Sequence, residues 1–223
     1  MKLVIFDFDG PINDLIEAKR STTLELASKY DISFSEQAVM ELINYIDQIY
    51  ENEKIIDYVQ LVSVALGRMR EDQAIEISDQ QITEFSSNFG DKLHENIKLN
   101  LVVAELIRAL KSESPNSKVC IYTSQRQDYV QKLLDRFGFD NTLIDKVYDR
   151  DYFDEPKPST KNLKLICKEF GCGPQDALVV GDNVAVDLAP GAFLGMKTVL
   201  VNPSVDIAIK DVSGLKQVLQ KGV

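Results

Sequence analysis

Tryptophan is absent from this 223-residue chain, histidine occurs once, at His94, and cysteine three times. A single histidine excludes a two-histidine metal motif and leaves any serine–histidine mechanism resting on one residue in a helical stretch. Cys120, Cys167 and Cys172 are odd in number and lack C-x-x-C spacing, so reduced core thiols are expected rather than a disulfide framework. No segment approaches the roughly 20 consecutive apolar residues of a membrane span. The opening stretch Met1–Asp7 has one basic residue and an apolar run too short for a signal peptide, so a cytoplasmic location is expected. Neither G-x-x-x-x-G-K-[ST] nor G-x-G-x-x-G occurs, which removes the common nucleotide-binding loops. Basic charge is short as well: 25 Lys and Arg face 35 Asp and Glu, a formal net charge of -10. Such a surface disfavours duplex nucleic acid and anionic membranes as partners and leaves small molecules open. An anionic substrate would need a bound cation or local basic residues to reverse the sign at its site.

What is present points to a packed protein. Hydrophobic residues at 44% and charged residues at 27%, without low-complexity tracts or repeats, argue against disorder. Lys2 to Phe8 reads as a buried strand bounded by Asp-Gly-Pro. A long helical stretch follows, with stripes at Val39, Leu42, Ile43, Ile46 and Ile49, at Ile55, Val59, Val62 and Leu66, and at Ile82, Phe85, Phe89 and Leu93. Ser78 and Gln81 have the spacing of a capping box at the start of the third stripe. No strand is expected between about Asn13 and Ser117.

Beyond that point strand and helix alternate. Val102, Val103, Leu106, Ile107 and Leu110 mark a helix, Lys118 to Thr123 a strand, and Val130, Leu133, Leu134 and Phe137 a helix stopped at Gly138. Leu163, Ile166 and Phe170 give a helix ended by Gly171, followed by a strand at Ala177 to Val180, a helix from about Asp187 and a strand at Thr198 to Val201. This order predicts an α/β fold: a doubly wound, Rossmann-like parallel sheet with an all-helical cap domain inserted after the first strand. The expected division is 1–14 with 97–223 as core and 15–96 as cap.

In an open parallel sheet, ligands bind outside the carboxyl ends of the strands, so the residues there carry the functional signal. They are Asp7 and Asp9 after the first strand, Thr123 and Ser124 after the second, Lys157 in a Pro-flanked loop, and Asp182 with Asp187 after the Ala177 strand. Four carboxylates converging on one edge repel one another unless a cation sits among them, and an all-oxygen set suits a hard ion such as Mg²⁺. Magnesium keeps waters and substrate phosphate in its shell, so a phosphoryl substrate is implied with it. In that arrangement Asp7 attacks phosphorus and Asp9 exchanges the proton. Thr123 and the following backbone N–H hold phosphoryl oxygens, and Lys157 adds fixed charge from a loop stiffened by Pro156 and Pro158.

The motifs DFDG at Asp7 to Gly10, IYTS at Ile121 to Ser124, KPS at Lys157 to Ser159 and GDNVAVD at Gly181 to Asp187 resemble, in this order, the four motifs of the haloacid dehalogenase superfamily. The helical insertion between the first two is similar to the subgroup containing phosphoglycolate phosphatase and β-phosphoglucomutase. The resemblance implies a phosphatase acting on a small phosphorylated metabolite through an aspartyl phosphate on Asp7. It also implies that Asp7 and Asp182 bind Mg²⁺ by side chain, Asp9 by its backbone carbonyl, and Asp187 directly or through water. Two departures stand out. Pro11 replaces the usual Thr or Val and stiffens the hinge into the cap, and Pro190 is tolerable only if its helix begins near Asp187. A phosphosugar mutase and a non-catalytic binding domain are the alternatives.

Each residue also has a plainer reading. Asp-Gly is a common turn, Thr123 a strand-terminal hydroxyl, Lys157 a solvated loop charge and Asp187 a helix cap. His94 reads as a surface or interhelix residue. Tyr45, Tyr50, Tyr58, Phe85 and Phe89 read as cap core rather than a substrate platform. Lys19, Arg20, Arg68 and Arg126 are candidate specificity residues that more commonly serve as solvated helix charges.

Overall fold

The computed structural model describes residues 1–53 and 57–201. Among these residues five strands form one parallel sheet: β1 (Leu3–Phe6), β2 (Lys118–Tyr122), β3 (Lys146–Tyr148), β4 (Ala177–Gly181) and β5 (Lys197–Leu200), in the order β3-β2-β1-β4-β5. Each neighbouring pair is parallel, with Phe6 in register with Ile121 of β2 and Val180 of β4. The order reverses at β1, which has the earlier strands on one side and the later ones on the other. That reversal is the switch point outside which a crevice opens at the strands' carboxyl ends.

The sheet residues are apolar because both faces are covered. Alternation along β1 sends Leu3 and Ile5 into a buried cluster with Cys120, Tyr122, Tyr148 and Val179. Leu163, Ile166 and Cys167 of α7 (Thr160–Glu169) close that side. Val4 and Phe6 face the other way, and both are buried, as are Val119 and Ile121 of β2. Burying each such aliphatic side chain contributes about 1.5–3 kcal/mol. The strand ends are therefore held by the core, not by the polar loops that follow them.

By internal contacts the chain divides into two compact units, one of Met1–Asp14 with the chain from Lys98 onward and one of Leu15–Ile97. The second unit is four helices, α1 (Leu15–Lys29), α2 (Glu36–Glu53), α3 (Tyr58–Glu71) and α4 (Asp79–Asn96), with no strand among its described residues. The Ser78–Gln81 capping box forms at the start of α4, and Phe85 and Phe89 stack at 5.9 Å between ring centres. In the first unit the two chain crossings are tied together: Asp14 N–H donates to Lys98 O at 2.9 Å, and Asn100 N–H to Ile12 O at 2.8 Å. The remaining α-helices among the described residues are α5 (Leu101–Glu113), α6 (Gln127–Arg136) and α8 (Ala189–Phe193). Gly138 and Gly171 take left-handed φ values of 62° and 65° just past α6 and α7, as C-terminal stops require.

Several expectations are corrected. β3 is a fifth strand that no pattern announced, since three residues between Asp145 and Asp149 are too few to show a period. Val59 is 44% exposed, because it sits about a quarter-turn off the face formed by Leu61, Val62, Ala65, Leu66 and Met69. Val102 at the start of α5 and Tyr50 on α2 are also exposed. Ile55 lies outside the described residues. Lys19 is no solvated charge: its side chain is buried and ion-paired with Asp47, whereas Arg20 and Arg126 make exposed pairs with Glu36 and Asp128. All three cysteines are free thiols. No helix among the described residues is long and apolar enough to cross a membrane.

Candidate active site

The end of β1 delivers Asp7, whose backbone N–H still donates to Val180 O of β4 at 2.8 Å. Its side chain meets Lys157, with Nζ 2.7 Å from Asp7 Oδ1 and 2.8 Å from Asp187 Oδ1. Lys157 is nearly enclosed, with 4% of its side chain exposed. The Tyr122 ring, its centre 4.8 Å from Nζ, backs the ammonium. Asn162 fixes that ring and the loop together, donating to Tyr122 Oη at 2.9 Å and Glu155 O at 2.7 Å. Ser159 caps α7 by accepting from Asn162 N–H at 3.2 Å, so the lysine stands two residues before a pinned helix start.

β4 supplies the facing side. Asp182 follows it directly, and a π-helical turn at Val184–Leu188 swings Asp187 back beneath Gly181. A Cβ on Gly181 would lie 2.4 Å from Asp187 Cβ, and one on Gly10, where φ is +91°, would lie 2.2 Å from Asp182 Oδ2. Glycine at both places therefore lets Asp182 and Asp187 crowd the end of β1. Asn183 turns the loop, its Oδ1 accepting from Ala185 and Val186 N–H at 3.0 and 3.1 Å while its own N–H donates to Asp187 Oδ2 at 3.1 Å. Pro190 falls at the first turn of α8, where its missing N–H is harmless.

Asp7, Asp182 and Asp187 thus bring carboxylate oxygens within 4.8 Å of one another. Three negative charges face one ammonium, an excess of two, and the all-oxygen set fits a hard divalent ion such as Mg²⁺. The electrostatics report the same imbalance. Burial, with Asp187 adding to it against the pull of Lys157, pushes the Asp7 carboxyl up to about 7. Burial and the neighbouring Asp7, Asp187 and Asp9 push Asp182 up to about 8. Burial opposes the charge on Lys157, yet Asp7 and Asp187 outweigh it, so its pKa is raised.

The other residues singled out in the sequence divide. Asp9 turns aside from the three-carboxylate group: its oxygens accept from Asn13 Nδ2 at 2.7 Å and Gln125 Nε2 at 2.6 Å. Thr123 is buried, and its Oγ1 accepts from Gln125 N–H at 3.1 Å, leaving the hydroxyl proton available to a ligand. Ser124 is exposed on the loop beyond. Tyr122, Asn162, Asn183, Gln125 and Asn13 went unread, although Tyr122 and Asn183 lie inside the quoted motifs.

A family model described as haloacid dehalogenase-like hydrolase matches residues 4–201. The chain belongs to that family. This hydrolase is 25% identical over 185 residues to the phosphoglycolate phosphatase of Pasteurella multocida strain Pm70, covering 82% of the chain and 77% of the relative. It is 25% identical over 196 residues to pyrophosphatase PpaX of Bacillus velezensis, covering 87% and 80%. Its fold matches that of YfnB from Bacillus subtilis, assigned to the HAD hydrolases and solved bound to magnesium. The TM-score is 0.67 at 17% identity, over 92% of this chain and 91% of that one.

Burial of these carboxylates, with their mutual repulsion added to it, has a measurable consequence. Both Asp7 and Asp182 are raised from an ordinary 3.8, so the stability they contribute is full below that value and is lost as pH rises through about 7 and 8. Asp182→Asn removes one of the two losses. In EDTA, its melting temperature relative to the parent hydrolase is expected to climb between about pH 4 and pH 8. A difference that stays flat or falls across that window would show that the group is not strained by its own charge.

Proposed function

We propose that this hydrolase is a Mg²⁺-dependent phosphatase of a small phosphorylated metabolite, working in the cytoplasm through a phosphoryl group carried on Asp7. The observation that carries this reading is the buried meeting of Asp7 and Lys157 with Asp182 and Asp187 at one edge of the sheet. Asp7 and Asp182 would hold the ion by side chain, Asp9 by its backbone carbonyl, and Asp187 directly or through water. Bound there, Mg²⁺ supplies positive charge that offsets repulsion between a carboxylate nucleophile and a phosphoryl dianion.

The protein's own groups carry the steps. An Asp7 oxygen bonds to phosphorus as the ester P–O bond breaks, and Asp9 gives the departing oxygen its proton. A water then loses a proton to Asp9 and attacks phosphorus, releasing inorganic phosphate and restoring the Asp7 carboxylate. Lys157 and the Thr123 hydroxyl hold the phosphoryl oxygens, with the backbone N–H and hydroxyl of Ser124 beside them. In this reading Leu15–Ile97 serves as the cap whose side chains select the substrate, and the relatives' names support a small phosphoryl compound. Nucleic acid and membranes play no part.

The test is phosphate release from a broad set of phosphomonoesters, with phosphoglycolate and pyrophosphate included, in Mg²⁺ and in EDTA. Release in Mg²⁺ that EDTA abolishes is expected for at least one compound. Failure across the whole set would sink the proposal, and a sugar phosphate isomerised without free phosphate would replace hydrolysis with mutase chemistry.

A further inference from the structure

We infer that Gln125 and Asn13 are positioning residues for Asp9, gripping its carboxylate at both oxygens so that it is held in one orientation for proton transfer. This rests on the acid/base role proposed for Asp9. The two grips come from distant parts of the chain. Asn13 Nδ2 reaches one oxygen at 2.7 Å, and Gln125 Nε2 reaches the other at 2.6 Å.

Both residues are anchored through their backbones. The Gln125 backbone N–H donates to Thr123 Oγ1 at 3.1 Å, and its carbonyl accepts from Arg150 N–H at 3.1 Å. Gln125 therefore ties the loop after β2 to the acid after β1. Asn13 has no solvent exposure, and its backbone N–H donates to Phe8 O at 3.3 Å.

The orientation of the Asn13 amide is itself informative. With Nδ2 on Asp9, Asn13 Oδ1 is left buried without a hydrogen-bond donor among the described residues. A stranded buried acceptor lowers stability. With Asp9 ionised, the form that takes the proton from water in the second step, flipping the amide would set a carbonyl oxygen against the carboxylate, so the arrangement serves Asp9 in that state. An apolar residue would fill that site without the stranded oxygen, and its presence is explained by what the amide does for Asp9.

Losing Gln125 would remove the amide that holds Asp9 Oδ2 and so loosen the orientation of the carboxylate. The loss must then depend on how much help the leaving group needs. An alkyl phosphate departs as a strongly basic alkoxide that requires a proton as the P–O bond breaks, whereas p-nitrophenolate departs without one. The ratio of kcat/KM between two such esters isolates this first transfer, since the second step is common to both.

The experiment measures kcat/KM with p-nitrophenyl phosphate and with the fastest of 2-phosphoglycolate, glycerol 3-phosphate and glucose 6-phosphate. The proteins are the parent, Gln125→Ala, Asp9→Asn and the double variant, each first shown by its melting curve to be folded. Gln125→Ala is expected to lower the alkyl-to-aryl ratio about 10- to 100-fold, the scale on which small misplacements of reacting groups act. Because Gln125 acts through Asp9, adding Gln125→Ala to Asp9→Asn should cost less than about twofold more. Equal losses on both esters, or single losses that multiply in the double variant, would overturn the inference. A parent enzyme that releases phosphate from none of these esters and from none of the broader set named above would instead remove the phosphatase reading beneath it.

Discussion

Asp7→Asn is expected to fold, to melt within a few degrees of the parent protein, and to release phosphate on the order of 10⁴-fold more slowly or worse, the scale of nucleophile deletions in covalent catalysis. The amide keeps the shape of the side chain and can still accept from Lys157, but its nitrogen and oxygen cannot form a stable ester with phosphorus. Folding should survive because the parent carboxylate is a strained group. Burial and Asp187 push its pKa to about 7 even with Lys157 at 2.7 Å, so neutralising it relieves repulsion while giving up one ion pair. The assay is inorganic phosphate release under saturating substrate, with thermal melting in parallel. Turnover within about tenfold of the parent enzyme would take Asp7 out of its role, because no general acid or charge effect lost alone leaves so much of a covalent mechanism intact.

The parts of the fold that were readable were those with a long period and a clean stop. The stripe from Val39 to Ile49 is buried throughout, and the capping box at Ser78 and Gln81 forms, because one amphipathic face and one cap settle such helices locally. The parallel sheet followed from alternation of strand and helix, and the order β3-β2-β1-β4-β5 completes it. β3 was not readable: its three residues owe their strand form to pairing with Cys120, Ile121 and Tyr122, a tertiary cause. A helix is expected from about Asp187, but Val184–Leu188 is a π turn and α8 begins only at Ala189, the turn being shaped by Asn183 and by the space that Gly181 leaves for Asp187.

The candidate site divides along the same line. Asp7 and Asp182 were legible because strand ends in a parallel sheet converge on one edge, a rule that needs no coordinates, whereas Lys157 stands in a loop before α7 and was marked only by its place among the motifs. What surrounds them was not. Tyr122 meets Lys157 through its ring, Asn162 reaches that ring from α7, and Gln125 meets Asp9 across 116 positions of sequence. Each depends on a side-chain direction that spacing cannot supply. Lys19 makes the point from the other unit: a lysine on a helix face reads as solvated, and only the packing of α1 near Asp47 buries it.

Lys157→Met is expected to damage stability and turnover together. Methionine matches the length of the lysine stem and packs beside the Tyr122 ring, so the substitution removes charge with little loss of volume. Asp7 and Asp187 would then face each other without the ammonium now 2.7 and 2.8 Å from them, in a place where their side chains are 14% and 3% exposed. Removing one partner of a buried ion pair costs about 3–5 kcal/mol, because the stranded charge cannot regain water. In urea and EDTA the unfolding midpoint should fall accordingly. Saturating Mg²⁺ should recover more stability in the variant than in the parent, since the variant's cluster has one more uncompensated negative charge for the ion to offset. Turnover should remain depressed even then, because the metal restores net charge but not the ammonium that holds a phosphoryl oxygen. Were Lys157 only a solvated loop residue, the midpoint, its response to Mg²⁺ and the rate would all match the parent. That outcome would separate the lysine from the carboxylates, leaving its enclosure behind Tyr122 and Asn162 without a function.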